Sequence, residues 1–239
     1  MEKKAISKSV IWLALFGVYL GWGVIYLANH YILAVFPAFI INGIRNIVAG
    51  VILYAFLRLR GEAPPSARMW KSALFVGFIM ICCGSGANFW AQTVVPTGMS
   101  SLLIGSTPLW LVIMEIFICK KNKTKGPGAL AVLGVLIGFG GIILLIGPGN
   151  IFGANIELNP VGAAALLGGS LFFAAGSLKS RSAHLPPSRV LSSAMFMIGG
   201  GISCIVVGLI MGEGARLSFD NITLSSILGF MYTVSGIAN

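Results

Sequence analysis

The chain has 239 residues, of which 57% are hydrophobic and only 9% are charged, and its mean hydropathy is +0.95. Soluble domains carry about a quarter of their residues as charged side chains to cover the core, so this composition excludes a soluble globular protein. The net charge of +10 does not indicate a nucleic-acid binder, because such a protein needs an exposed basic face that this composition cannot supply.

Apolar segments of about 20 residues recur along the chain, which is the length at which a helix crosses ~30 Å of hydrocarbon. Transmembrane strands would alternate in polarity, and these segments do not alternate. The sequence therefore predicts an all-α fold, a polytopic membrane helix bundle. The predicted segments are residues 10–28, 39–57, 72–92, 98–119, 129–147, 161–178 and 190–211, and an eighth that begins near residue 224.

Basic residues predict the orientation of the bundle. Fourteen of the sixteen Lys and Arg residues precede the first segment or lie in every second connection after it. Lys and Arg accumulate in cytoplasmic loops, so we expect a cytoplasmic N-terminus. The two exceptions are Arg216, in a connection on the other side, and Arg45, inside the second segment.

The two halves of the chain resemble each other at a nearly constant offset. The matched residues are Trp22 with Phe173, Pro37 with Pro187, Gly50 with Gly200, and Gly61 with Gly212. Each unit of such a repeat would hold five helices, an odd number, so the second unit would enter the membrane from the opposite side and the repeat would be inverted. We expect the two units to be residues 10–147 and 160–239. The second is expected to be incomplete, with helices 6 and 7 and part of helix 8, so the functions predicted below are those of the intact protein.

Several short motifs resemble those of the drug/metabolite transporter superfamily, in particular its EamA-like ten-helix members. Residues 21–26 read GWGVIY, similar to the family's W-G-x-x-[FY] stretch. Pro37 and Arg45 match its proline–arginine spacing, and residues 95–103 with 107–110 resemble its VPSGLAALL and TPLW runs. The resemblance runs from residue 12 to the end of the chain.

The resemblance implies a secondary transporter of the cytoplasmic (inner) membrane rather than an enzyme. It implies export of small metabolites such as amino acids or drugs by alternating access. The alternative is a truncated membrane subunit or scaffold that does not transport.

Polar residues inside the apolar segments are candidates for substrate binding, because polar groups in hydrocarbon are costly and tend to face the bundle interior. Asn88 and Gln92 are four residues apart and share one face of the third helix with Ser85. They are suited to hydrogen bonds with a solute, or equally to hydrogen bonds between helices. Arg45 is a candidate for gating or for binding a substrate carboxylate, with a structural pairing to helix-end carbonyls as the alternative.

A proline predicts a break in the fourth helix. Thr107 precedes Pro108, which lacks the N–H that a continuous helix would use and frees a carbonyl for a neighbouring helix or a solute. Ser106 and Trp110 flank this break, and all four residues are assigned to the binding site or its gate. Broken helices near the midplane of transporters commonly form the substrate site.

Aromatic residues complete the predicted site. Trp22, Tyr26 and the repeat-related Phe173 would line a cavity if the two units face each other, although Tyr26 also suits the membrane interface. We expect no catalytic residues, no metal and no cofactor. The expected partners are a small-molecule substrate and membrane lipid, with no nucleic acid, and a homodimer is left open.

Overall fold

The computed structural model describes residues 8–122, 126–146, 159–217 and 222–237, and these ranges contain helices and no β-strand. Five helical spans in them are long and apolar enough to cross a membrane, which confirms the prediction of an all-α polytopic bundle. Those spans are Ala38–Leu59, Ala67–Ala91, Thr97–Lys120, Pro160–Ser180 and Arg189–Ile210. The α-helices of the described ranges are α1 (Lys8–Leu33), α2 (Ala38–Leu59), α3 (Ala67–Gly77), α4 (Ala87–Ala91), α5 (Thr97–Ile104), α6 (Thr107–Asn122), α7 (Ala129–Ile146), α8 (Pro160–Ser180), α9 (Arg189–Ile210) and α10 (Leu224–Ile237).

Local sequence sets where several helices begin. The Ser66 hydroxyl accepts a hydrogen bond from the Met69 N–H at the start of α3, and Ser188 caps α9 in the same way. At the start of α8, the Asn159 side chain accepts from the Val161 N–H at 3.0 Å. Each cap satisfies an N–H that has no partner within the first turn of its helix.

The third span is not the regular helix that the sequence predicts over residues 72–92. A π-helical segment, Phe78–Gly86, joins α3 to α4. The wider turn lies where the span packs closely on α8: a Cβ added at Gly84 would lie 2.9 Å from the Phe173 nitrogen. π-Helical turns inside α-helices are frequently found at functional sites, and residues of this segment line the central cavity.

Helices α2 and α9 cross at the centre of the bundle, where small residues let the two backbones approach. A Cβ at Gly50 would lie 2.9 Å from the Ala194 carbonyl oxygen, and a Cβ at Gly201 would lie 2.8 Å from the Gly43 oxygen. The two contacts correspond to each other at an offset of 151 positions, since Gly50 matches Gly201 and Gly43 matches Ala194. Such close contacts between small residues are a common way for helices to associate in lipid.

Two other features of the fold show the same correspondence between the first and second predicted units. Gly61 and Gly212, the two described glycines with positive φ, have φ of 89° and 77° and follow α2 and α9 respectively. Helix α1 packs on α10, and α8 packs on the π-helical segment, so the first helix of each predicted unit contacts the third helix of the other. These contacts are those expected of an inverted repeat, and the division into residues 10–147 and 160–239 stays a prediction.

Candidate functional site

A cavity of about 730 Å³ lies at the centre of the bundle. Side chains from α1, α2, the third span, α5, α6, α8, α9 and α10 line it, so both predicted units contribute. Its volume is in the range that holds small organic ligands. The polar residues from the first half of the chain that line it include Asn29, Arg45, Asn46, Ser85, Asn88, Gln92, Ser101 and Thr107.

Arg45 provides the charge of this cavity. The residue is 7% exposed and lies on the buried face of α2. Its Nε donates to the Asn42 Oδ1 at 3.0 Å, and its Nη1 donates to the Asn29 Oδ1 at 3.3 Å. The guanidinium carbon also lies 4.1 Å from the centre of the Phe89 ring, a cation–π contact worth about 0.5–2 kcal/mol.

A chain of amide side chains extends from Arg45 across the cavity wall. The Asn29 Nδ2 donates to the Gln92 Oε1 at 3.1 Å, and the Gln92 Nε2 donates to the Asn88 backbone oxygen. Asn29 therefore bridges α1 to both α2 and the third span. Because each amide holds the next, the guanidinium has a fixed orientation in the cavity.

Two further asparagines support Arg45 from α2 itself. Asn42 and Asn46 lie three residues before it and one residue after it, and both are almost fully buried. The Asn46 Nδ2 donates to the Asn42 Oδ1 at 3.2 Å, and the Ser85 hydroxyl lies 3.4 Å from the same oxygen. Asn42 thus concentrates three donors on one oxygen, which keeps the arginine side of α2 polar within an apolar bundle.

Apolar and aromatic residues form the rest of the wall. Phe89 is packed in a buried cluster with Ile32, Ala38 and Ile41, which holds its ring under the guanidinium. Tyr26 and Phe173 also line the cavity. Phe173 lies close to the third span because Gly84, which has no side chain, lets the α8 backbone approach it. The cavity therefore presents one cationic, amide-rich side and one apolar side.

The fourth span is interrupted between α5 and α6 at Gly105 and Ser106, next to the predicted position. Gly105, Thr107 and Pro108 line the cavity. From the sequence, the carbonyl freed by Pro108 was expected to bond to a neighbouring helix or a solute. That expectation was wrong, because the Ile104 oxygen accepts a hydrogen bond from the adjacent Thr107 Oγ1 at 2.7 Å.

The structure places most of the predicted site residues together. The predicted residues that line the cavity are Tyr26, Arg45, Asn88, Gln92, Thr107, Pro108 and Phe173. The backbone of Trp22 lies in α1, and its side chain is outside the described part of the structure. The alternative role of Arg45 was a pairing with helix-end carbonyls, but its hydrogen bonds to described residues go to side-chain amides.

Ser106 and Trp110 are not among the residues that line the cavity. Ser106 is fully buried at the break, and the Trp110 ring stands edge-on to the Phe139 ring of α7 with centroids 5.1 Å apart. The structure thus assigns Trp110 to the contact between α6 and α7. Neither the Ser106 Oγ nor the Trp110 Nε1 has a hydrogen-bond partner among the described residues.

Asn88 combines a cavity position with an unusual contact. Its Oδ1 is buried where a Cβ on Gly169 of α8 would lie, and it has no hydrogen-bond partner in the described ranges. A buried acceptor without a partner is destabilising and is therefore uncommon in native structures. The Asn88 Oδ1 therefore contributes little to the stability of the packing.

Asn29, Asn42 and Asn46 belong to this polar network but were not predicted from the sequence. The asparagines of α2 had a usable signal, because Asn42, Arg45 and Asn46 are spaced to share one helix face. Asn29 follows the predicted end of the first segment at residue 28, whereas α1 continues to Leu33 and brings Asn29 to the cavity. Within the described ranges, no three His, Cys, Asp or Glu residues form a group that could hold a metal ion.

Comparison with known proteins gives one family. The model of the EamA-like transporter family matches residues 8–147, more than half of the chain. No solved structure matches the chain significantly.

Curated relatives match over most of this chain. The uncharacterized inner membrane transporter YedA of Escherichia coli is 32% identical over 220 residues, which is 91% of this chain and 66% of YedA. A WAT1-related chloroplastic protein of Arabidopsis thaliana is 24% identical over 93% of this chain and 53% of its own length. An uncharacterized transporter of Synechocystis is 25% identical over 96% of this chain and 74% of its own length. The chain thus spans just under two thirds of the length of YedA.

Proposed function

The chain belongs to the EamA-like transporter family, and from this membership we propose that it is a membrane transporter that moves a small metabolite through the central cavity by alternating access. The observation that carries the proposal is the composition of the cavity wall. Tyr26 and Gln92 come from the first predicted unit, and Phe173, Met197 and Thr233 come from the second. A site between two inverted units is exposed to one side or the other when one unit rocks against its partner.

The broken fourth span supports a binding role for the same cavity. Irregular backbone at membrane depth is tolerated where it is buried in protein or lines a cavity, and Gly105 lies in the cavity wall at the break. The π-helical segment is a second irregular element at this wall, and it contributes Met80, Ile81 and Ser85. The spans can bend at these two segments, because the regular α-helical hydrogen bonding is already interrupted there.

We further propose that the protein lies in the cytoplasmic membrane with its N-terminus inside, and that it exports its substrate. The orientation rests on the distribution of Lys and Arg. The membrane rests on the relative YedA, which is named as an inner membrane transporter. Export of amino acids, related metabolites or drugs rests on the family resemblance of the sequence motifs.

Cysteine accessibility tests alternating access. Cys82, Cys83, Cys119 and Cys204 are first replaced, and Thr107→Cys or Asn88→Cys is introduced singly. A membrane-impermeant thiol reagent is then applied to right-side-out and inside-out vesicles. We expect labelling of each cavity cysteine from both sides, because the cavity opens to each side in turn.

The matched control is Ile137→Cys on α7, which is 68% exposed on the outside of the bundle and should face lipid. Protection of this cysteine from both sides, together with labelling of the cavity cysteines, supports the proposal. Labelling of both cavity cysteines from one side only, or from neither, under every condition would contradict alternating access. Labelling from one side only, or from neither, is the result expected for a subunit or scaffold that does not transport.

A further inference from the structure

We propose that the cavity binds a small organic monoanion, whose single carboxylate pairs with Arg45 and whose apolar part lies against Phe89, Tyr26 and Phe173. This inference rests on the proposed function, because it names the substrate class of the same cavity. Within the range of amino acids, metabolites and drugs that the family resemblance implies, it selects carboxylate monoanions and rejects cationic drugs and zwitterions such as amino acids.

The charge balance of the cavity carries the argument. Arg45 is the one charged side chain that lines the cavity in the described part of the protein. The described glutamates are engaged or placed elsewhere: Glu213 binds the amino end of α2, Glu115 pairs with Arg181 at 3.4 Å, and Glu62 follows α2 at its far end. A buried cation without a counter-charge is costly, so a monoanion that enters the cavity would offset that cost.

The guanidinium is also set up geometrically to receive a carboxylate. A guanidinium has five N–H donors, and described residues occupy two of them, one on Nε and one on Nη1. Phe89 covers one face of the planar group, which leaves hydrogen bonding to its edge. Paired N–H···O bonds from one edge to the two oxygens of a carboxylate are a strong, charge-assisted arrangement.

The number of charges favours a carboxylate over a phosphate. A phosphate monoester carries a charge near −2 at neutral pH, and one arginine would leave about one negative charge unpaired in an apolar site. A carboxylate carries one negative charge, which the single arginine balances completely. The amides of Asn29, Asn46 and Gln92 then provide neutral hydrogen bonds around the pair.

The same balance selects against an ammonium group. An amino acid would bring a positive charge as well as its carboxylate, and the described wall provides no acidic side chain to pair with the ammonium. A simple amine would add a second positive charge near Arg45. The aromatic wall adds contact area for an apolar body but no compensating charge.

Ligand-dependent thermal stability of the purified 239-residue chain in nanodiscs tests this proposal without requiring transport. The probes are four compounds that differ in charge: 3-phenylpropionate, L-phenylalanine, phenethylamine and inorganic phosphate, each at concentrations up to roughly 10 mM. We expect 3-phenylpropionate to raise the Tm with saturation and the other three to have little effect. A larger stabilisation by phenylalanine, phenethylamine or phosphate, or none by 3-phenylpropionate, would overturn the proposal.

Variants connect the effect to Arg45. Arg45→Gln should weaken binding of 3-phenylpropionate by about ten- to a hundredfold, whereas Arg68→Gln, an exposed arginine at the start of α3, should not change it. Because Arg45→Gln risks misfolding, Asn29→Asp is a second variant that places a carboxylate on Nη1. It should abolish the 3-phenylpropionate effect, because the new carboxylate already supplies the counter-charge of Arg45. Retained binding in Asn29→Asp would overturn the proposal.

The two proposals fail in distinguishable ways. Binding of 3-phenylpropionate together with one-sided cysteine labelling would contradict alternating access and leave the monoanion site standing. Two-sided labelling together with stabilisation by phenylalanine alone would contradict the monoanion site and leave the transporter standing.

Discussion

The Glu213 carboxylate binds the Phe39 N–H, with Oε2 3.0 Å from the nitrogen, so a residue that follows α9 caps the start of α2. The same oxygen accepts from the Ile40 N–H at 3.0 Å. Both N–H groups belong to the first turn of α2, where a helix has no internal partners and where its dipole favours a negative charge. One buried side chain thus joins the two helices that cross at the centre of the bundle.

Glu213→Ala is expected to destabilise the protein by about 1–2 kcal/mol, because it leaves two buried N–H groups unpaired and removes the favourable charge at the helix end. Thermal unfolding in nanodiscs measures the effect. Glu62→Ala is the matched control, since Glu62 follows the equivalent glycine in the first half of the chain, and it should change the Tm less. Equal losses for the two variants would show that the cap contributes nothing specific.

Gly169→Ala is expected to destabilise the contact of α8 with the third span by about 1–3 kcal/mol. The new Cβ would collide with the Asn88 Oδ1 and lie 2.8 Å from the Gly84 backbone oxygen, which cannot move as a side chain can. The adjacent Gly168→Ala is the control, because a Cβ there meets nothing within 4 Å. The comparison uses the Tm of each variant. Indistinguishable Tm values for the two variants would contradict the close packing of Gly169 on the third span.

Asn88→Ala is expected to change stability by less than about 1 kcal/mol while it impairs substrate movement. The side chain lines the cavity, and its removal eliminates a buried oxygen that has no hydrogen-bond partner. Expression level and Tm report folding, and efflux of a radiolabelled substrate from cells reports transport. Normal efflux by Asn88→Ala at normal expression would show that Asn88 has no role in binding or moving the substrate.

Thr107→Val is expected to destabilise the break in the fourth span by about 1 kcal/mol, because the Ile104 carbonyl loses its bond to the Thr107 hydroxyl. Thr107→Ser retains the hydroxyl and should restore most of the stability. Unfolding of the two variants in the same lipid gives the difference. If Thr107→Val were as stable as Thr107→Ser, the hydroxyl would be irrelevant to the break.

The sequence was sufficient for several helices of the fold and for the position of the break in the fourth span. The predicted segment 190–211 agrees with α9, and the predicted segment 161–178 lies within α8. Thr107 and Pro108 predicted the interruption of the fourth span. These features follow from hydropathy over some 20 residues and from one missing N–H, and both are properties of local sequence.

The sequence was less informative where the answer depends on which residues meet. It did not predict the π-helical segment Phe78–Gly86, because its composition resembles that of an ordinary apolar helix. It placed Trp110 in the binding site, whereas packing turns the ring toward Phe139 on α7. It omitted Asn29, which joins the site because α1 is longer than its apolar run.

The sequence by itself determined that this protein is a helical membrane bundle, because about 20 apolar residues in lipid must satisfy their own backbone hydrogen bonds and only a helix does so within one segment. Only the tertiary structure decided what surrounds Arg45. Asn29 and Phe89 are 16 and 44 positions away from it along the chain, and Phe173 enters the same cavity from the second predicted unit. Such a site is formed when helices pack, and packing in lipid depends on close contacts between small residues such as Gly43 and Gly201 rather than on hydropathy.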